Sequence, residues 1–168
     1  MLSHRLIQLI QDHADGLTRE ALQDLLTNSR TPSFRKVPCE EIEARIGALY
    51  RNLGNWIGAP DDAVRAGYED WGRKRFRQGI PVSELIYTMI LAKHHLRRYI
   101  RDHGLVEFSG DRIAPAELLP LQMHSLQEAN TMIGEFFDRA LYHLARGYEL
   151  EGAAERPRAA CATTTRAR

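Results

Sequence analysis

Seven histidines and 22 acidic side chains supply ample donors for a metal centre, so their spacing is tested first. A di-iron carboxylate bundle needs Glu-x-x-His on two helices, because a spacing of three projects both ligands inward. No histidine here has a glutamate three residues before it. His124 and Glu128 stand one helical turn apart, but one pair does not close a coordination sphere. His94 and His95 are adjacent, so on a helix they point about 100° apart and do not chelate one ion together. No metal or cofactor is expected. Nucleophilic chemistry has as little footing, for there is no Gly-x-Ser-x-Gly elbow and no glycine-rich phosphate loop. Cys39 and Cys161 match neither a disulfide framework nor a zinc spacing. No catalytic residue is expected.

Charge clusters at Arg73-Lys74-Arg75-Phe76-Arg77. Such a run can contact phosphates or an acidic partner. It also suits the end of a helix, where cations complement the dipole and face water. Asp61, Asp62, Glu69 and Asp70 balance it from the same segment, and the second reading is preferred. The chain carries 23 Lys and Arg against 22 Asp and Glu, which gives no long-range pull toward nucleic acid or an anionic membrane.

Polar residues inside apolar stripes are more informative. At helical spacing Lys93 lies between Met89 and Leu96, Arg75 falls at the centre of its own stripe, and His13 does the same near the N-terminus. A cation left unpaired in a core costs several kcal/mol, so each must snorkel, pair with a carboxylate or meet a ligand. An internal ion pair is the first expectation. The second is a polar pocket between helices, lined by His13, Arg75, Lys93 and Asn130, that accepts a small anionic or polar ligand. A haem pocket would need an inward axial ligand, with His13 and one of His94 or His95 as candidates.

The elements that position these groups follow from apolar repeats of three and four, with no sustained alternation of period two. Five helices are predicted. The first runs from about residue 2 to 26, with a kink or split at Asp15-Gly16. A loop containing Pro32 follows, and the second helix spans from Pro38 to Ile57. The third opens at Asp61-Asp62 and ends at Gly79. The fourth opens at Pro81 and ends at Gly104. The fifth starts at Pro115 and reaches Tyr148. In it Leu119, Met123, Leu126, Asn130, Ile133, Phe137, Ala140 and Leu144 alternate at four and three, which is a heptad seam with Asn130 at a core position. A second stripe, Leu118, Leu121, Ala129, Met132 and Phe136, widens that face. The helix is therefore central in the bundle or shared with a second copy, and the seam of Leu119, Met123, Leu126, Asn130, Ile133, Phe137 and Leu144 is the expected dimer contact. Trp56, Tyr68, Trp71, Phe136 and Phe137 fall on helical stripes and are read as core.

Hydrophobic residues make up 43% of the 168, enough for one core. The composition after Glu151 turns to Ala, Arg, Thr and Pro, so 1–150 reads as one domain and 151–168 as a disordered tail. The N-terminus lacks the apolar run of a signal peptide, and no window approaches the ~18 apolar residues of a membrane span. A cytoplasmic location is expected.

The stretch from Tyr68-Glu69-Asp70-Trp71-Gly72-Arg73 through Gln78-Gly79-Ile80-Pro81-Val82-Ser83-Glu84-Leu85 resembles the RsbRD-type N-terminal domain family, the N-terminal domains of RsbT co-antagonist proteins. Phe136-Phe137-Asp138-Arg139-Ala140-Leu141-Tyr142 and Gly147-Tyr148-Glu149 carry the same likeness. The resemblance implies an all-α, globin-like or bundle-like sensory module of bacterial stressosome and sigma-factor signalling, usually dimeric and usually without haem. Such domains commonly precede an output domain. None is read here after the last helix, so the resemblance implies a copy that acts in trans, through its own dimer or another protein. The expectation is a non-catalytic sensor or adaptor with a protein partner, and the alternative is a small-molecule or haem sensor.

Overall fold

The period of three and four is realised as helix throughout the described chain. The computed structural model describes residues 2–109 and 119–164, and the side chains of 4–103 and 120–155. Among them there are seven α-helices, one 3-10 turn and no strand. The all-α class is as expected; the count of five is not.

Two extra helices come from breaks at residues that are neither Gly nor Pro. The first predicted helix is split into α1 (Leu2–Asp12) and α2 (Ala14–Thr27) at His13, whose backbone sits at φ −102°, ψ 13°. The split falls before Asp15-Gly16, because Gly16 continues the helix. Gly16 is the third residue of α2, and a Cβ added there meets nothing within 4 Å. Gly16→Ala should therefore raise stability by about 0.5–1 kcal/mol through the restricted unfolded chain. Equilibrium urea unfolding checks this, and an unchanged midpoint would refute it.

The second predicted helix is likewise divided into α3 (Cys39–Arg51) and α4 (Leu53–Ile57). At the break Asn52 has φ −110° and donates its side-chain amide to the Ala48 carbonyl at 2.9 Å. A short amide that bonds its own backbone competes with helix continuation. The turn swings Leu53 into the core, where it is fully buried. Within the predicted loop after α2, Pro32–Lys36 forms a 3-10 turn that buries Phe34. The Ser33 N–H and hydroxyl both donate to the Glu84 carboxylate at 2.8 Å, which ties this turn to the start of α6 (Val82–Ser109).

Helix α5 (Asp61–Arg77) ends as its sequence predicts. Gly79 takes φ 69°, its N–H bonds the Phe76 carbonyl, and the Ile80 N–H reaches back to Arg75. That is a Schellman stop, which favours glycine at the left-handed position. Helix α6 runs past Gly104 to Ser109, since nothing after that glycine forces a stop. Residues 110–118, which include the predicted start of the last helix at Pro115, lie outside the described residues.

The last helix, α7 (Leu119–Thr164), continues through the stretch expected to be disordered. Ala153, Ala154 and Glu155 are strong helix formers. Before them, Glu151 pairs with Arg77 at 2.7 Å, and Gly152 lies against the Phe76 ring. Residues 165–168 lie outside the described residues.

Helix α7 is the axis of the bundle. It runs antiparallel to α6, as the pairs Lys93–Asp138 and Tyr148–Ile80 show. It crosses α5 so closely that a Cβ on Gly72 would overlap the Leu144 carbonyl, and one on Gly147 would overlap the Glu69 backbone. The aromatic residues read as core fill the space beside that crossing. Trp56 packs on Tyr68 and Phe136, Tyr68 on Trp71, and Phe136 on Phe137, with centroids 5.2–6.2 Å apart. Across the bundle, the Tyr50 hydroxyl donates to the Ala92 carbonyl and joins α3 to α6.

Candidate functional site

Four residues are candidates for one polar pocket, and the structure disperses them. His13 is exposed at the α1–α2 junction, with Nδ1 3.0 Å from the Leu9 carbonyl and its ring against Tyr99. It points away from the core because the helix breaks there and rotates its stripe. Lys93 snorkels to the edge of α6 and pairs with Asp138 at 3.0 Å. Asn130 is half-buried and donates to the Leu126 carbonyl on its own helix. Arg75 alone lies deep, at 1% exposure. No single pocket gathers the four.

Arg75 is the best-developed polar centre. Its Nη1 sits 2.8 Å from Glu41 Oε1, and Lys74 Nζ is 3.2 Å from the same oxygen. It also donates to Gln78, and its guanidinium faces the Phe34 and Trp71 rings at 5.6 and 5.9 Å. Burial lowers the Arg75 pKa, while Glu41 pulls it back up and Arg45 lowers it further; the net shift is downward. Burial pushes the Glu41 carboxyl up, but the Lys74 hydrogen bond and the Arg75 charge outweigh it and leave the pKa below 4.5. A groove of about 330 Å³ opens beside this centre between α3 and α5, lined among others by Arg45, Trp71, Lys74 and Arg75. Trp71 Nε1 and Arg75 Nε are buried there without a hydrogen-bond partner. Each such donor costs about 1–3 kcal/mol.

The basic run of α5 is neutralised locally. Arg73 pairs with Glu69, Lys74 and Arg75 with Glu41, and Arg77 with Glu151. Arg73, Lys74 and Arg77 keep 36%, 50% and 59% of their side chains exposed, as the preferred reading of that run expects, whereas Arg75 turns into the core.

Two histidine latches were not legible in sequence, because each joins residues far apart in the chain. His95 is buried, with Nε2 3.0 Å from Asp24 and Nδ1 3.2 Å from Arg98, which in turn pairs with Glu20. The cluster clamps α2 to α6. Burial pushes the Asp24 carboxyl up, and hydrogen bonds from Asn28 and His95 carry it below 3.8. His143, also buried, sets Nε2 3.1 Å from both oxygens of Asp61, the first residue of α5. Of the axial candidates for haem, His95 thus has both ring nitrogens engaged, while His13 and His94 are exposed.

The dimer-seam candidates divide in the same way. Ile133, Phe137 and Leu144 are buried inside their own protomer, because α5, α6 and α1 surround that part of α7. They are not available to a second copy. Leu126 and Asn130 are half-buried, Met123 is 53% exposed, and the Leu119 side chain lies outside the described residues. Leu121 is also 53% exposed. Between these residues and α6 runs a groove of about 610 Å³ with Ile100, Met123 and Leu126 in its apolar lining and Arg97, Arg101 and His124 at its polar positions.

The described residues thus define an all-helical module, tied by the buried Arg75–Glu41 pair and two histidine–aspartate hydrogen bonds and open in grooves on two sides. Among them no three His, Cys, Asp or Glu side chains are grouped to hold a metal ion, and no helix is long and apolar enough to cross a membrane. Residues 8–162 match the RsbT co-antagonist protein rsbRD N-terminal domain, and the chain belongs to that family of regulatory signalling domains. No curated protein and no solved structure matches the chain.

Proposed function

We propose that this protein is a non-catalytic, cytoplasmic sensor or adaptor of the stress-response type, which works as a homodimer that engages a protein partner. Family membership supports the signalling role. The observation that carries the association is the start of α7, where Met123, 53% exposed, lines an apolar groove against α6 together with Ile100 and Leu126. An open apolar groove at the surface marks an interaction site more often than a singly exposed side chain does.

The occupant of that face is a second copy. Arg97 and Arg101 line the groove, while Glu128 and Glu135 stand exposed on α7. A two-fold contact is self-complementary, so the acids of one copy can meet the cations of the other. The expected seam therefore shortens to the N-terminal part of α7.

Sedimentation velocity across about 1–100 μM is the test, a range that brackets ordinary reversible dimers. Met123→Glu should shift the protein to monomer while leaving unfolding within about 0.5 kcal/mol of wild type, as for most surface changes. Ile133→Val should do the reverse, costing about 0.5–1.5 kcal/mol and leaving association intact. A wild-type protein that stays monomeric at tens of micromolar would end the dimer reading.

A further inference from the structure

The groove between α3 and α5 shares no residue with the α6–α7 face, and it carries the features of a ligand site. Trp71 is 9% exposed and Arg75 1%, yet Trp71 Nε1 and Arg75 Nε have no hydrogen-bond partner. An indole N–H and a guanidinium N–H are donors only, so what satisfies them must offer lone pairs. The lining has three cations, Arg45, Lys74 and Arg75, against two acids, Glu41 and Asp70. Glu41 is shared by Lys74 and Arg75, which leaves the lining with one net positive charge. Two unmet donors and a net positive lining favour an anion over a cation.

The remaining walls are Ala44, Ala48 and Gly67, small surfaces that leave room for a short apolar body beyond the charged end. Arg45 covers the indole, with its guanidinium carbon 4.8 Å from the Trp71 ring and 4.7 Å from Tyr68. Its hydrogen bond to the Gly67 carbonyl is long, at 3.5 Å, so it is the side chain most easily displaced. We propose that this groove binds a small organic carboxylate, whose oxygens accept from Trp71 Nε1–H and Arg75 Nε–H once Arg45 swings off the indole and joins Lys74 in neutralising the charge.

The test is a two-dimensional ¹H–¹⁵N titration of the whole chain with sodium benzoate at constant ionic strength. The two tryptophans give two indole cross-peaks, and Trp56 does not line the groove. The Trp71 indole peak should move and saturate by about 10 mM benzoate, the reach of a millimolar site, with Trp56 moving less. Arg45→Gln should weaken binding by about tenfold, as loss of one charged hydrogen bond does. Lys74→Gln, at an exposed position, should weaken it in the same direction and keeps the test open if Arg45→Gln unfolds. Inorganic phosphate forms the second arm. Saturation by phosphate with benzoate silent would overturn the carboxylate assignment in favour of a bare oxyanion. No saturable shift with either, or equal binding by Lys74→Gln and wild type, would overturn the site.

Discussion

Gly147→Ala should lower the melting temperature by roughly 6–12 °C, the shift that about 3 kcal/mol produces in a domain of this size. The reason is geometric. The methyl group would occupy space taken by the Glu69 carbonyl oxygen and Cα, which are backbone atoms and cannot rotate aside. Helices α5 and α7 would have to separate, and the aromatic cluster packed beside their crossing would loosen with them. Gly72→Ala meets the Leu144 carbonyl and the Tyr148 nitrogen in the same contact, so its cost should be comparable. Because both act on one contact, the double variant should lose less than the sum of the two. Differential scanning calorimetry of the four proteins decides the matter. Either alanine variant melting within about 2 °C of wild type would show that the helices are not in backbone contact, since that shift is below 1 kcal/mol here.

The second large effect lies at the buried arginine. Glu41→Ala should cost about 3 kcal/mol, because it leaves the Arg75 charge buried with no carboxylate and Gln78 as its remaining side-chain acceptor. The estimate sits at the lower end of the range for broken buried pairs, since the Glu41 side chain is 28% exposed and water can partly replace it. Arg75→Met should cost less than Glu41→Ala, for it removes the buried charge and leaves Glu41 to Lys74. The pair also predicts an acid limb. The folded pKa of Glu41 lies below the ordinary 4.5, so its contribution is complete above that pH and is lost as pH falls through the folded value. Asp24, held below 3.8, acts in the same direction. Denaturant midpoints from pH 7 to 3 should show the gap between wild type and Glu41→Gln closing only below about 4.5. A gap that stays constant to pH 3 would contradict the depressed carboxylate.

What the sequence made legible was mostly periodic. Stripes such as Met89–Lys93–Leu96 and the repeat from Leu119 to Leu144 announced helices, and the Gly79 stop was readable because only a left-handed residue serves that turn. The breaks at His13 and Asn52 were not, since neither residue is a helix breaker by type and each acts through its local backbone. The stretch after Glu151 was read by what it lacks to bury, whereas its alanines favour helix without burial. Arg75 could be placed inward from its spacing, but its partner Glu41 could not, because periodicity fixes a face and not which residues meet there. The same limit hid Asp24 from His95 and Asp61 from His143. The seven-residue seam failed in part for a related reason: a heptad stripe says that a face is covered, and α5, α6 and α1 cover most of it here.

The Gly72–Gly147 crossing has a mechanical consequence. Helix α7 has 46 residues, a rod of about 69 Å at 1.5 Å per residue. Backbones this close leave little freedom to slide, and the contacts on either side, His143 with Asp61 and Glu151 with Arg77, make α5 and α7 move as one unit. Past the last of these contacts, from Gly152 to Thr164, the helix extends about 18 Å further. A joint this tight needs two bare α-carbons, and the chain sets one on each helix.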